Sequence, residues 1–351
     1  MLGGLGKLHS ALPAVTISGG PPTLPVPSLC YSDVKPGGKP GIAGEGAVRV
    51  VSYQHQGKPG VGVVTGANGL VTLAKAAPDL PHDLRRILEI DPMLAKVRSA
   101  TSGKPADLSL DDIKYDPVIR EPHATWALAL NYKLHIEETK LTTSTVYPQI
   151  FLRMPIAQVG HKEALWAPRK VVAEAYDYEG ELAVIIGKPG RYIKRQNAFD
   201  HVAGYSCYNE GSVREYQGHN RQFGLGKNFE RSGSFGPWLM TPDEFGDPAT
   251  HTLITRLNGI ERQHAKISGL LHDVPGLIEY LSEGYTLQPG DVIVTGSPGA
   301  LPLRPGEQPE KPVGNVIVAG QLHMRTGDVC EVEVDGLGVL SNPVVEDPTP
   351  R

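Results

Sequence analysis

Tyr176-Asp177-Tyr178-Glu179-Gly180-Glu181 runs directly into Leu182-Ala183-Val184-Ile185-Ile186-Gly187, and the reading of the whole chain turns on this stretch. Residues two apart on a β-strand share a face, with Cα atoms about 7 Å apart, so Glu179 and Glu181 can both turn onto one cation. Leu182 to Ile186 is apolar at every position, the pattern of a strand buried on both faces. Two carboxylates entering such a strand lose hydration and repel each other unless positive charge lies between them. The chain supplies a contrast in Cys330-Glu331-Val332-Glu333-Val334-Asp335, where acids alternate with apolar residues as on a half-buried strand with a wet face. The later pair reads as structural. The earlier pair reads either as solvent-facing acids or as a metal site, and the apolar run behind it weighs toward the metal.

With 351 residues and 40% apolar composition, the chain can bury a large core, as one elaborate domain or as a main domain with a smaller one. Its 34 basic and 38 acidic residues give a net charge of −4, without the basic excess that nucleic-acid binding needs. Cys30, Cys207 and Cys330 are scattered and odd in number, which suggests neither a disulfide framework nor a thiolate zinc site. No apolar stretch approaches the roughly 20 residues of a membrane span, and the N-terminus has no charged segment followed by an apolar core. The expectation is a cytoplasmic protein with neither membrane nor nucleic-acid partners.

Residues 1–45 are rich in Gly and Pro and read as a flexible arm. Short β-like runs follow at Val48 to Tyr53, Gly60 to Val64 and Leu70 to Leu73, with turn signals at Gln56-Gly57 and Asn68-Gly69. They predict a small antiparallel N-terminal domain over 46–118, with a helix from Pro81 to Glu89 and a linker near Thr101 to Pro105. Residues 119–351 form the expected catalytic domain, with a helix from Val274 to Ser282 capped by Asp273 and ended by Gly284. Strands do not alternate regularly with long helices, so the predicted class is a β-rich α+β fold rather than a doubly wound sheet. Leu301 to Gln321 carries several prolines and reads as a long loop.

Familiar catalytic signatures are missing. Gly3 to Lys7 and Gly224 to Lys227 lack the spacing of a phosphate loop, no serine stands in a G-x-S-x-G elbow, and the histidines form no H-E-x-x-H pair. What remains is a set of polar stretches in a fixed order: Asn131-Tyr132-Lys133-Leu134-His135-Ile136-Glu137-Glu138, the Glu179/Glu181 pair, and Asn209-Glu210-Gly211-Ser212-Val213-Arg214-Glu215-Tyr216-Gln217. On a helix, His135 and Glu138 would share a face at i, i+3. Singly, each stretch is more often a solvated loop or a wet helix face than a site.

Their order resembles the fumarylacetoacetate hydrolase family across residues 119–345. The family pattern N-Y-x-x-H-x-x-E, D-Y-E-x-E-L, A-G-Y-x-x-x-N-D-x-S-x-R-x-x-Q, G-K and G-P-W has counterparts at Asn131 to Glu138, Asp177 to Leu182, Ala203 to Gln217, Gly226-Lys227 and Gly236-Pro237-Trp238. Leu257 to Gln263, Leu287 to Ile293 and Thr295-Gly296-Ser297-Pro298 continue the match. The resemblance implies a mixed β-sandwich roll core, with Glu179, Glu181 and Glu210 as ligands of Mg²⁺ or Mn²⁺. Glu210 stands where the family usually has Asp, a change that leaves Ca²⁺ open as well. It further implies His135, oriented by Glu138, as general base and Lys227 as the group that stabilises developing negative charge. Gln217 and Ser297 would contact substrate, while Asp177 and Arg214 would orient the ligands. Arg153 stands where the family usually has Lys.

The activity this implies is metal-dependent hydrolysis of a C–C bond in a β-diketone or 2,4-dioxo acid. A decarboxylase, tautomerase or isomerase of the same family, using the same enolate without adding water, is the alternative. A noncatalytic binding protein on the same fold is a third reading, opposed by His135, Glu138 and Lys227. The expected partners are a small dioxo or oxo acid and a second copy of the chain, as a homodimer.

Overall fold

The computed structural model describes residues 48–133, 146–310 and 322–350. They fall within one of two compact units, Pro40–Arg351; the other, Met1–Lys39, lies outside the described residues. The fold is β-rich α+β with mixed sheets, as the sequence predicts.

The central path of the main sheet runs Leu108–Ser109, Gly69–Thr72, Lys58–Thr65, Arg49–His55, Gly233–Met240, Val202–Asn209, Gly180–Ile186, Val292–Val294, Thr125–Ala129 and Gln149–Leu152. Most neighbours are antiparallel, but Val292–Val294 and Thr125–Ala129 run parallel. A five-stranded sheet, Ile260–Lys266, Thr252–Leu257, Val329–Val334, Gly338–Glu346 and Leu165–Ala167, packs against one face. Leu182, Val184 and Tyr205 of the main sheet meet Leu253, Val332 and Leu340 of the second there, together with Leu277 and Ile278 of the helix Val274–Gly284. The opposite face carries Ala183, Ile185, Tyr208 and Leu239, covered by Leu84, Ile87, Leu88 and Val97 from two short helices. Covering both faces is what makes Leu182 to Ile186 apolar at every position. The contrasting strand Val329–Val334 alternates buried and half-buried residues, with Arg256 reaching Glu333 at 2.6 Å.

Local signals in the sequence account for several elements. Gln56 and Gly57 both take positive φ (51° and 74°) between the paired His55 and Lys58, a two-residue turn whose twist suits a hairpin. The next turn spans 66–68 between the paired Thr65 and Gly69, with Gly66 at φ 58°, and the Asn68 side chain donates to Ser109 and Asp111 at 2.9 and 2.6 Å. Leu73 starts a short helix, Leu73–Ala76, rather than ending the strand. The helix expected from Pro81 begins at Leu84 because Asp83 is its cap, accepting from the Arg86 N–H at 3.1 Å. Asp273 caps Val274–Gly284 in the same way, accepting from the Gly276 N–H at 3.1 Å. Arg49 and Val50 pair with Met240 and Leu239, which joins the first strands to the main sheet.

One half-buried histidine should make the fold sensitive to acid. The His161 ring sits edge-on to Tyr115, centroids 4.8 Å apart, and its Nδ1 accepts from the Ser341 N–H at 3.1 Å. Burial, with a smaller push from Lys162, lowers its pKa to about 4. An unfolded histidine titrates near about 6.5, so the unfolded chain takes up the proton first. Folding stability should therefore fall by roughly 1–3 kcal/mol from this residue as pH drops from about 6.5 toward about 4. Melting temperature against pH for wild type and His161→Gln checks this: the variant should show a shallower slope, and parallel curves would clear His161 of the role.

Candidate metal centre

The antiparallel pairing of two stretches brings together acids that are about thirty positions apart. Gly180 pairs with Asn209 and Glu181 with Tyr208, and the ladder resumes at Tyr176 with Val213 and Asp177 with Ser212. Between these ladders the Glu210 N–H donates to the Glu179 carbonyl at 2.8 Å, and the Glu179 N–H donates to the Asn209 side chain at 3.1 Å. Glu179, Glu181 and Glu210 are all buried, and each offers a carboxylate oxygen within 4.8 Å of the others. Oxygens on one small divalent ion, each at about 2.0–2.1 Å from it, lie about 2.9 Å apart when adjacent and about 4.2 Å when opposite, so modest side-chain movement would bring the three onto one ion.

Four buried carboxylates, Asp177, Glu179, Glu181 and Glu210, face three buried cations, Arg153, Arg214 and Lys227. The Arg214 guanidinium bridges Asp177 and Glu179, each at 2.7 Å, and donates to Gln217 at 2.7 Å. Lys227 Nζ contacts Glu179 Oε2, lies 3.2 Å from Glu210 Oε2, and is 5.1 Å from the centre of the Phe151 ring. Ser212 donates to Glu179 at 2.9 Å, and the Gly296 N–H donates to Glu181 Oε2.

These contacts set the three carboxylates apart. Burial would raise Glu179, yet Arg214 and Lys227 together hold it well below the usual carboxylate range. Burial, then the charges of Glu210 and Glu179, push Glu181 well above that range. Burial also raises Glu210, against the pull of Lys227. Glu181 Oε1 and Glu210 Oε1 are buried without any hydrogen-bond partner. Two orphaned carboxylate oxygens, raised by burial and mutual repulsion, are what a cation between them would relieve. The donor set is all oxygen, and the cluster fits a divalent metal site.

Lys227 lies inside this cluster, and Gln217 is buried one hydrogen bond away, through Arg214. Ser297 is buried beside Gly296, directly after the strand Val292–Val294 and a short connection. His135, Glu138 and the segment Thr139 to Thr145 lie outside the described residues. Asn131 does not face the acids. It donates to the carbonyls of Thr295 and His272 at 2.7 and 2.9 Å, anchoring the loop that carries Gly296. Gln263 likewise accepts from the Gly180 N–H and donates to the Pro298 carbonyl, at 2.9 and 2.8 Å. Sequence reasoning assigned neither residue a role, because a side chain that braces two backbone segments has no signature of its own beyond its place in a motif.

A buried carboxylate triad with an embedded lysine, at the end of a sheet covered on both faces, is an arrangement consistent with a divalent-metal site. The profile described as "Fumarylacetoacetate (FAA) hydrolase C-terminal" matches residues 124–345, and the chain belongs to the fumarylacetoacetate hydrolase family. The chain is 33% identical over 238 residues to oxaloacetate tautomerase YisK of Bacillus subtilis, covering 67% of this chain and 74% of that protein. It is 32% identical over 306 residues to mitochondrial oxaloacetate tautomerase fahd2 of Xenopus laevis, covering 85% and 91%. Among solved structures it resembles maleylpyruvate hydrolase from Sphingobium sp. SYK-6, in complex with manganese(II) ion and pyruvate. That likeness has a TM-score of 0.66 at 25% identity, covering 85% of this chain and 99% of that one.

Proposed function

We propose that this protein is a divalent-metal-dependent tautomerase of a 2-oxo acid, oxaloacetate being the foremost candidate. The observation that supports it most is the carboxylate triad with Lys227 inside it, in a chain alike over most of its length to two oxaloacetate tautomerases. The order of preference among the sequence-based readings is thereby reversed, with tautomerisation ahead of C–C hydrolysis.

Glu179, Glu181 and Glu210 would hold Mg²⁺ or Mn²⁺, with Ca²⁺ also compatible with an all-oxygen set. When bound, the ion supplies Lewis-acid stabilisation of negative charge on the 2-oxo oxygen. Tautomerisation moves one proton from C3 to that oxygen, so the protein must provide a base at carbon and a positive group at oxygen. Lys227, fixed by Glu179 and Glu210, is the cation poised for the developing charge. His135, oriented by Glu138, is the proposed base at C3, and Gln217 and Ser297 the proposed substrate contacts. Arg214 keeps Glu179 ionised by holding it beside Asp177. Hydrolysis remains the second reading, favoured by the likeness to maleylpyruvate hydrolase and served by the same base acting on water. Among the described residues no helix is long and apolar enough to cross a membrane.

The test follows the ultraviolet absorbance of enol-oxaloacetate with Mg²⁺, Mn²⁺ or EDTA, alongside pyruvate release from oxaloacetate and acylpyruvates. Metal-dependent loss of enol without pyruvate supports the tautomerase; acylpyruvate cleavage with no effect on enol decay overturns it in favour of hydrolysis. Light scattering on the same sample addresses the proposed homodimer, which a single-chain mass would refute.

A further inference from the structure

Of the three cations in the cluster, Arg153 is the least committed. Arg214 is committed to Asp177, Glu179 and Gln217, and Lys227 to Glu179 and Glu210, which leaves one ammonium N–H for the reacting oxygen. Arg153 spends only Nη1, which donates to the Gly211 carbonyl at 3.0 Å. Its side chain is fully buried, yet Nε and Nη2 make no close hydrogen bond. Nε faces the Glu210 carboxylate as a long ion pair at 3.9 Å, and the Tyr208 phenol lies within reach of the guanidinium. An arginine buried with only long contacts for two of its donor atoms is costly unless something arrives to accept from them.

The surroundings make room for this guanidinium and add a second donor. Gly233 faces it from the strand Gly233–Met240, and a Cβ there would lie 2.5 Å from Arg153 Nη2 and 3.1 Å from Gln158 Nε2. Glycine at 233 is thus what admits the guanidinium. Both polar atoms of the Gln158 amide are also buried and unpartnered. Arg153 and Gln158 together present N–H groups beside Gly233, while Arg214 is held by Asp177, Glu179 and Gln217.

We infer that Arg153, with Gln158, forms a carboxylate subsite that takes the distal carboxylate of a dicarboxylic oxo acid. The inference rests on the reading of the site as acting on 2-oxo acids and narrows it to substrates with a second negative end. With a cation held by the acidic cluster, a 2-oxo acid would be drawn to the cluster by its proximal carboxylate and oxo group, leaving its C4 carboxylate in need of a further cationic partner. Arg153 meets that need, in a planar fork matched to carboxylate.

The test is calorimetric binding to the full-length, Mn²⁺-loaded protein, comparing oxaloacetate with 2-oxobutanoate, which carries a methyl group in place of the distal carboxylate. Arg153→Gln should weaken oxaloacetate roughly 10- to 100-fold, the range of charge-assisted hydrogen bonds. At saturating Mn²⁺ it should change 2-oxobutanoate binding by less than about threefold, because that acid has no distal carboxylate to lose. Arg153→Lys, which keeps the charge without the fork, should fall between and guards against a folding defect in the first variant. Equal losses for both acids, or a loss of Mn²⁺ affinity that accounts for the oxaloacetate effect, would overturn the subsite and leave Arg153 as a counter-charge to Glu210. Because binding is read without turnover, the subsite can stand where the wild type shows no tautomerase activity, and can fail where it does.

Discussion

Replacing Glu181 by glutamine should abolish divalent-cation binding and turnover together while leaving the metal-free protein as stable as wild type, or more so. The stability half follows from where Glu181 sits. Its carboxylate is fully buried, pushed well above its ordinary pKa by burial and by Glu210 and Glu179, and holds one oxygen without a partner. A neutral amide of the same shape keeps an oxygen for the Gly296 N–H and removes the repulsion. The binding half follows from its place among the three carboxylates. Altering groups that merely orient a metal ligand costs 10- to 100-fold in affinity, so losing a ligand should cost at least about 100-fold. Manganese titration followed by electron paramagnetic resonance, with a thermal melt in EDTA, reads both halves. Wild-type turnover by the variant in metal-free buffer would remove the cation from the mechanism altogether.

That pair of acids was legible in the sequence because of its neighbours. Glu179 and Glu181 resemble Glu331 and Glu333 in spacing, and only the unbroken apolar run from Leu182 to Ile186 separates a doubly covered strand from one with a wet face. The cap at Asp273 and the turn at Gln56-Gly57 were equally readable, being local features that a few adjacent residues fix. The charge pairing within the site was not. Arg214 lies 37 positions from Asp177 and Lys227 lies 48 from Glu179, and no local pattern says which acid each cation meets. Arg153 shows the limit most plainly: it follows the strand Gln149–Leu152, and nothing in that stretch of sequence says that Gly211, Gly233 and Glu210 converge around it. Asn68 marked a turn, which spans 66–68, but the sequence did not show that its side chain would reach Ser109 and Asp111, some forty residues on.

Lys227→Met should have the opposite signature to the change at Glu181, lowering metal-free stability and turnover at once. Lys227 is 3% exposed and compensates Glu179 and Glu210 simultaneously. Removing one partner of a buried ion pair leaves uncompensated charge and commonly costs about 3–5 kcal/mol. Arg214 still holds Glu179, so the lower end of that range is expected here. A divalent cation bound to the same carboxylates replaces the missing positive charge, and Mn²⁺ should therefore raise the melting temperature of the variant more than that of wild type. Turnover should not return with it. A single donor aimed at developing charge is worth about 10²–10³ in rate, and an ion that restores the fold does not replace the ammonium at that position. Lys227→Arg should rescue poorly, because a planar fork does not fit where a compact ammonium lies between two carboxylates and over the Phe151 ring. Melts with and without Mn²⁺, paired with enol-oxaloacetate assays at saturating Mn²⁺, separate the two roles: wild-type turnover in the loaded variant would deny Lys227 its part in the reaction, and an unchanged melt in EDTA would deny it the part in holding Glu179 and Glu210 together.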